Sequence, residues 1–311
     1  MTTKVFIDGK AGTTGLRIYD RLQKRNDITL LTLSEQDRKD PAKRSEMLNS
    51  CDIAFLCLPD EASREAVSMV TNPDVVLLDT STAHRTLDDW AYGFPELSPE
   101  FLRKVETSKR IAVPGCHASG FIALVQPLVA AGILAKDTPL TCHSITGYSG
   151  GGKKMIAEYD DANRPAIFDA PRQYGLSQQH KHLKEMVKIS GLTFSPVFCP
   201  IVSDFYSGML VTVPLFKEYL QNNATVKDLE EIYQALYTGP MVKFEKNISE
   251  NGLLAANLYS GNDSMQITIE GNEDRILLIA RYDNLGKGAS GAAVDCMNIV
   301  MKQDPATGLD L

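Results

Sequence analysis

The 311-residue sequence predicts an α/β fold in two parts. Three observations carry this. The first third alternates short apolar strands with helix-patterned segments, which implies a parallel sheet with right-handed crossovers. From about residue 141, strand-like runs follow one another with few helices between them, as in an antiparallel or mixed sheet. A helix rich in small and apolar residues closes the chain. At 43% hydrophobic and 23% charged residues, the composition is that of a globular protein long enough for two domains.

In chain order, Lys4 to Asp8 reads as a strand, and Leu16, Ile18, Tyr19 and Leu22 then mark one helical face. Strands are predicted at Thr29 to Leu33, Asp52 to Leu58, Val75 to Leu78 and Ile111 to Val113, with a helix over Glu61 to Val70. An apolar helix runs from Phe121 to Ala131. Beyond it, Thr141 to Ile145, Ser195 to Val202, Met209 to Leu215, Val242 to Phe244, Gln266 to Glu270 and Ile276 to Tyr282 are strand-like. Helices are predicted over Ser177 to Ser190, Lys227 to Tyr237 and about Gly288 to Met301. With no flexible linker in view, the change of pattern sets the domain boundaries: 1–116, 117–284, and a closing segment 285–311 that returns to the first domain.

Net charge is −7 with no acidic or basic tail, which argues against nucleic acid and anionic membrane as partners. No apolar run reaches the ~18 residues of a spanning helix. Met1 to Val5 lead straight into a strand, so no secretory leader and a cytoplasmic location are expected. Six cysteines without a CxxC pair fit reduced thiols.

Gly9-Lys10-Ala11-Gly12-Thr13-Thr14-Gly15 follows the first strand and opens the first helix. Glycines there allow a tight turn and close backbone approach, and the helix start offers free N–H groups to a pyrophosphate. The spacing is G-x-x-G-x-x-G, so a purely structural turn is the alternative. After the second strand comes Ser34-Glu35-Gln36-Asp37-Arg38-Lys39. Ser34 and Arg38 suit the 2′-phosphate of NADP, whereas Glu35 could hold the ribose of NAD. The charges of residues 35–44 could also be no more than a solvated stretch.

Val113-Pro114-Gly115-Cys116-His117-Ala118-Ser119-Gly120 ends a strand and starts a helix. A thiol at a helix N-terminus has its thiolate favoured, so Cys116 is the candidate nucleophile, against packing as the alternative. The other five cysteines lie in apolar elements as core residues. Among the histidines, His180 is a candidate acid/base and His182 lies two residues on, which would put them on different sides of a helix. No carboxylate or cysteine sits at ligand spacing from them, so no metal is expected. His84, in Ser81-Thr82-Ala83-His84-Arg85, falls at the carboxyl end of the sheet, where ligands bind. His117 and His143 read as structural. Gly147 to Gly152 followed by Lys153 and Lys154 could cradle an anion. Asp283-Asn284-Leu285-Gly286-Lys287-Gly288-Ala289 permits close backbone approach.

These segments together, over nearly the whole chain, resemble the N-acetyl-γ-glutamyl-phosphate reductases of arginine biosynthesis, in their shorter form. The resemblance implies the fold of the aspartate-semialdehyde and glyceraldehyde-phosphate dehydrogenases: a Rossmann domain plus a mixed-sheet catalytic and oligomerisation domain, assembled as a homodimer or homotetramer. It implies an acyl-phosphate substrate, NADP held by Gly9, Gly12, Thr13, Thr14, Gly15, Ser34, Arg38, Ser81, Asn284 and Gly286, and a thioacyl intermediate on Cys116. His180 would take the thiol proton and later serve the thiohemiacetal oxygen. Ser149, Gly150, His182 and Arg164 would hold substrate. The sequence departs from the longer members at His117, where they carry an aromatic, and at Phe205-Tyr206-Ser207-Gly208, where they have an arginine before the glycine. Arg164 or Arg172 could stand in for that arginine. Rival readings are aspartate-semialdehyde dehydrogenase, a reductase of the one-carbon-longer aminoadipyl phosphate, and a nucleotide-binding regulator without catalysis.

Overall fold

The computed structural model describes residues 2–311. The chain forms two compact units. One comprises the residues up to Gly115 with Ala289–Asp310, the other Cys116–Gly288.

In the first unit, strand β1 (Thr3–Asp8) leads through the glycine turn into α1 (Thr13–Leu22), followed by β2 (Ile28–Leu31), α2 (Pro41–Ser50), β3 (Ile53–Leu56) and α3 (Asp60–Ser68). Then come β4 (Val76–Asp79), β5 (Ala91–Tyr92), α4 (Pro99–Thr107) and β6 (Arg110–Ala112). The six strands lie in the order β2-β1-β3-β4-β6-β5, all parallel. β1, β3 and β4 read as continuous apolar runs because helices cover both faces. The closing helix Gly291–Val300 belongs to this unit. Its Ala292, Ala293, Cys296, Met297 and Ile299 pack with Val5, Ile18 and Phe55 in one core.

Three elements here escape the periodicity reading. α2 lies in the charged stretch, yet Asp40 accepts hydrogen bonds from the Ala42 and Lys43 N–H groups and Pro41 occupies its first turn, a complete start signal. α4 carries the same signal, Ser98 capping Phe101 N with Pro99 behind it. β5 is only two residues long.

The second unit starts with α5 (Cys116–Ala130), β7 (Thr141–Gly147), α6 (Gly152–Asp160) and β8 (Arg172–Gln173), followed by α7 (Leu183–Ser190). β9 (Val197–Ser203), β10 (Met209–Phe216), α8 (Val226–Leu236), β11 (Val242–Phe244), β12 (Met265–Gly271) and β13 (Arg275–Tyr282) complete it. The sheet order is β11-β12-β13-β10-β7-β9-β8. It is mixed, parallel at β7·β9 and β11·β12 and antiparallel elsewhere. α5, almost wholly buried, packs on β10 and β13 with α7 and α8 alongside.

Three helix starts differ from expectation. The helix predicted over Ser177 to Ser190 begins only at Leu183, because Gln178 adopts a left-handed φ of 56° that a helix excludes. The closing helix begins at Gly291, and Gly286–Ser290 forms a wider turn before it. α5, in contrast, starts five residues earlier than its apolar run suggests, at Cys116 itself.

Candidate active site

Each unit contains a cleft. In the first unit, a cleft of about 550 Å³ lies at the carboxyl end of β1, lined by Gly9, Lys10, Ala11, Glu35, Arg38 and Arg44 among others. Its turn needs glycine for two separate reasons. Gly9 has φ +86°, and a Cβ there would lie 2.3 Å from the Cys57 carbonyl oxygen. A Cβ on Gly15 would lie 2.6 Å from the Gly9 oxygen. Gly12 N donates to Gly9 O at 3.0 Å and begins α1 with no side chain to cap it. The N–H groups of Thr13, Thr14 and Gly15 therefore have no partner within the helix. This backbone cradle, with no room for a side chain at Gly9 or Gly15, fits the pyrophosphate of a dinucleotide. The chain binds a nicotinamide cofactor.

Asp8 and Arg44 form the floor. Arg44 Nη2 and Nε donate to Asp8 Oδ2 at 2.9 and 3.1 Å, and Arg44 Nη1 reaches Glu65 at 3.1 Å. Burial still holds the Asp8 carboxyl above its usual range. At the far end, Arg38 lines the cleft but is ion-paired with Glu35 at 2.6 Å. Ser34 is outside the lining, its hydroxyl donating to Asp37 at 2.7 Å. Ser81 is likewise turned inward: it is buried, and its hydroxyl donates to Asp79 Oδ2 at 2.7 Å. The same carboxylate holds His84 Nδ1 at 2.6 Å, and the His84 ring stacks on Trp90. The Ser81-to-Arg85 segment is thus a buried hydrogen-bonded hub, and His84 is not a ligand-facing group.

The second unit's cleft, about 180 Å³, brings together Cys116, His117, Gly150, Tyr174, His180 and His182, with Lys181 at its edge. Cys116 is the first residue of α5, where the helix N-terminus favours a thiolate. Its first turn is bridged by Tyr282, whose hydroxyl donates to Cys116 O at 2.5 Å and accepts from Gly120 N at 3.0 Å. A Cβ on Gly120 would lie 2.7 Å from that hydroxyl, so the small residue at 120 makes the bridge.

His180 and His182 were expected on opposite sides of a helix. They precede α7 instead, in the turn that Gln178 opens, and both rings face the cleft with centroids 4.7 Å apart. The His182 N–H donates to His180 Nδ1 at 3.2 Å. Burial and then the Lys181 charge lower the His180 pKa. His117, expected to be structural, is in the same group, 5.8 Å from His180 between ring centroids. It is neutral at ordinary pH, because burial pushes its pKa down to about 3. Sequence reasoning also missed Tyr174 and Lys181. The available signal was proximity alone: Tyr174 lies on the loop that carries the histidines, and His117 adjoins the cysteine.

Other predicted substrate and cofactor contacts find different roles. Gly150 lines the cleft, but Ser149 is buried beneath it and accepts from Asn284 Nδ2 at 3.0 Å. Asn284 Oδ1 accepts from Gly208 N at 2.9 Å. Asn284 therefore anchors the glycine loop through both its amide atoms. Gly286 is required by the Asn262 carbonyl, 2.2 Å from where its Cβ would be. Arg164 does not line the cleft: its guanidinium is committed to Asp204 at 2.5 and 2.8 Å and Asp169 at 2.9 Å. Arg172 lies over the Phe168 ring at 3.9 Å and donates to Tyr159. No group of three or more metal-ligating side chains occurs among the described residues, and none of the described helices is long and apolar enough to cross a membrane.

Residues 4–105 match the semialdehyde dehydrogenase NAD binding domain, and residues 116–284 match the semialdehyde dehydrogenase dimerisation domain. Among solved structures, aspartate semialdehyde dehydrogenase II of Vibrio cholerae superposes with a TM-score of 0.72 at 16% identity, over 97% of this chain and 99% of that one. The aspartate semialdehyde dehydrogenase of Candida albicans, solved with NADP, gives 0.65 at 14% identity, over 97% and 99%. N-acetyl-gamma-glutamyl-phosphate reductase 2 of Nostoc sp. is 44% identical over 98% of this chain and 99% of its own length. The N-acetyl-gamma-glutamyl-phosphate reductase of Rhizobium meliloti is 45% identical over 97% and 99%. With both units matched in turn and relatives of one kind aligned end to end, the chain belongs to the N-acetyl-γ-glutamyl-phosphate reductases of the semialdehyde dehydrogenase family.

Proposed function

We propose that the chain reduces N-acetyl-γ-glutamyl phosphate to N-acetylglutamate 5-semialdehyde with NADPH, through an acyl group carried on Cys116. The observation that carries this reading is the placement of Cys116 at the start of α5, in a cleft shared with imidazoles and a glycine loop. The Cys116 thiolate attacks the γ-carbonyl; the C–S bond forms as the C–O bond to phosphate breaks, and phosphate leaves with the electron pair. When bound, the reduced nicotinamide supplies the hydride that takes the thioester to the aldehyde level. The carbon–sulfur bond then breaks and returns the thiolate.

His180 has Nδ1 engaged as an acceptor, so its neutral ring carries the proton on Nε2. This favours a donor to the carbonyl oxygen as charge develops there, and narrows the acid/base role expected of it. Lys181 is the one lysine or arginine among the described residues lining the cleft. It suits the anionic ends of the substrate, a role for which Arg164 is already committed elsewhere.

For the cofactor, Arg38 and Lys39 at the far end of the first cleft favour a 2′-phosphate. For assembly, the sheet face of the second unit away from α5 carries Ile145, Ile201, Leu210, Pro214, Phe216 and Leu277, all partly or fully exposed. A largely apolar face of this kind suits a second copy, and a homo-oligomer in the cytoplasm is the proposed working form.

The test compares N-acetylglutamyl, aspartyl and aminoadipyl phosphates as substrates. A kcat/KM highest for the first supports the reading; a preference for either other acyl phosphate overturns it.

A further inference from the structure

His117 is held from both sides inside the catalytic unit. Its Nδ1 lies 2.6 Å from Ser144 Oγ and its Nε2 lies 2.5 Å from the Tyr174 hydroxyl. A neutral imidazole carries one proton and offers one lone pair, so the two contacts must run in opposite directions. Ser144 decides which. It sits on β7, is fully buried, and His117 is the partner of its hydroxyl. A buried hydroxyl proton left without an acceptor is costly, and the acceptor here is His117 Nδ1. The His117 proton is then on Nε2 and is donated to the Tyr174 oxygen. The Tyr174 proton cannot point back at His117. It is free for the cleft, which Tyr174 lines together with Cys116.

We propose that Tyr174 donates a hydrogen bond to the Cys116 thiolate, and that Ser144 and His117 are positioning residues that aim its proton there. The Tyr174 phenol stays protonated at working pH, because burial first and a negative charge on the nearby Cys116 second push its pKa up. Deep burial of His117 keeps its ring neutral, so the direction of the relay does not reverse. The arrangement gives the thiolate a donor from the side chain of another loop, in addition to the N–H groups of its own helix.

The experiment is alkylation of Cys116 in the whole protein by iodoacetamide, followed at that peptide by mass spectrometry as a function of pH. It needs no acyl phosphate, so a failure of the proposed substrate would leave it readable. Tyr174→Phe should move the labelling midpoint up by about one pH unit, the effect of one hydrogen bond to a charged group. Ser144→Ala, which lets His117 take either tautomer, should move it in the same direction by less, and should add nothing in the Tyr174→Phe background. His117→Gln, with a donor near the Nε2 position and an acceptor for Ser144, should restore most of the wild-type midpoint where His117→Leu does not. An unchanged midpoint in Tyr174→Phe overturns the donor, and additive shifts from Ser144→Ala and Tyr174→Phe overturn the relay.

Discussion

The two clefts are made of different materials. The candidate cofactor site of the first unit rests at one end on backbone: Gly9 and Gly15 matter for the side chains they lack, and the N–H groups that would meet an anion belong to α1 itself. The candidate catalytic cleft of the second unit is mainly side chain. Cys116 and His117 come from α5, Gly150 from the loop after β7, Tyr174 from just after β8, and His180 and His182 from the turn before α7. A backbone cradle fails by steric exclusion when a Cβ is added. A side-chain cluster fails chemically, one function at a time, while the fold around it persists.

That difference sets the largest expected effect. Cys116→Ser should abolish turnover, by roughly 10³-fold or more as for other groups that form the covalent intermediate. NADPH binding, followed by fluorescence or calorimetry, should be unchanged. An intact-protein mass measurement of the wild type with substrate and no cofactor should find the acyl adduct on Cys116. An active Cys116→Ser would make the thiol a packing residue and remove the chemical half of the contrast.

The backbone half makes the opposite prediction. Gly9→Ala should cost on the order of 1–3 kcal/mol from backbone strain at φ +86°, with more from the clash at Cys57. Thermal unfolding should shift down and cofactor binding should be lost together with it. Gly12→Ala meets nothing closer than 3.5 Å and should stay within about 1 kcal/mol of wild type. If the two variants behaved alike, the turn would not be sterically specified.

This contrast also explains what could be read in the sequence. The glycine turn, the parallel strands and the start of α5 at a cysteine are local patterns, and the fold class and the candidate nucleophile are read from them. The candidate catalytic cleft is not local. His117 looks like one more residue of an apolar helix until β7 brings Ser144 beneath it. His180 and His182 look divergent on a helix until the left-handed Gln178 replaces that helix with a turn. Arg164 looks like a free cation until the fold places Asp204 against it. Helices α2 and α4 were legible in their caps, Asp40-Pro41 and Ser98-Pro99, but weak in their periodicity. For His117 and Arg164 a tertiary contact, and for the histidine turn and the two capped helices a local backbone signal, overrides what spacing implies.

A smaller effect probes the far end of the cofactor cleft, where side chains take over from backbone. Arg38→Ala should weaken NADPH by about 1–3 kcal/mol, the range for a charge-assisted hydrogen bond, and leave NADH nearly untouched. Because Glu35 already pairs with Arg38 at 2.6 Å, Glu35→Gln should strengthen NADPH by less than about 1 kcal/mol, as for an exposed ion pair. Equal loss of both cofactors in Arg38→Ala would place the 2′-phosphate elsewhere.

The smallest effect concerns how the first unit is closed, since unlike the second it draws on both ends of the chain. Arg25 donates to Asp27 at 2.6 and 3.0 Å and to Asn298 at 2.5 Å, and also to Gln303. Gln303 in turn donates to Asp27 at 2.8 Å. These bonds, the Arg25 one first, hold the Asp27 carboxyl below its ordinary value even though burial opposes them. A depressed carboxylate pKa stabilises the fold above the unfolded value, about 3.9. That contribution is lost as pH falls through the unfolded value toward the folded one. Asp27 is 39% exposed at its side chain, so solvent screening keeps the effect small. Asp27→Asn should therefore unfold at a slightly lower temperature than wild type at pH 7, and the two melting curves should draw together below about pH 4. A gap that stayed constant from pH 7 to pH 3 would mean that the clamp acts through shape and hydrogen bonding alone, without the charge on Asp27.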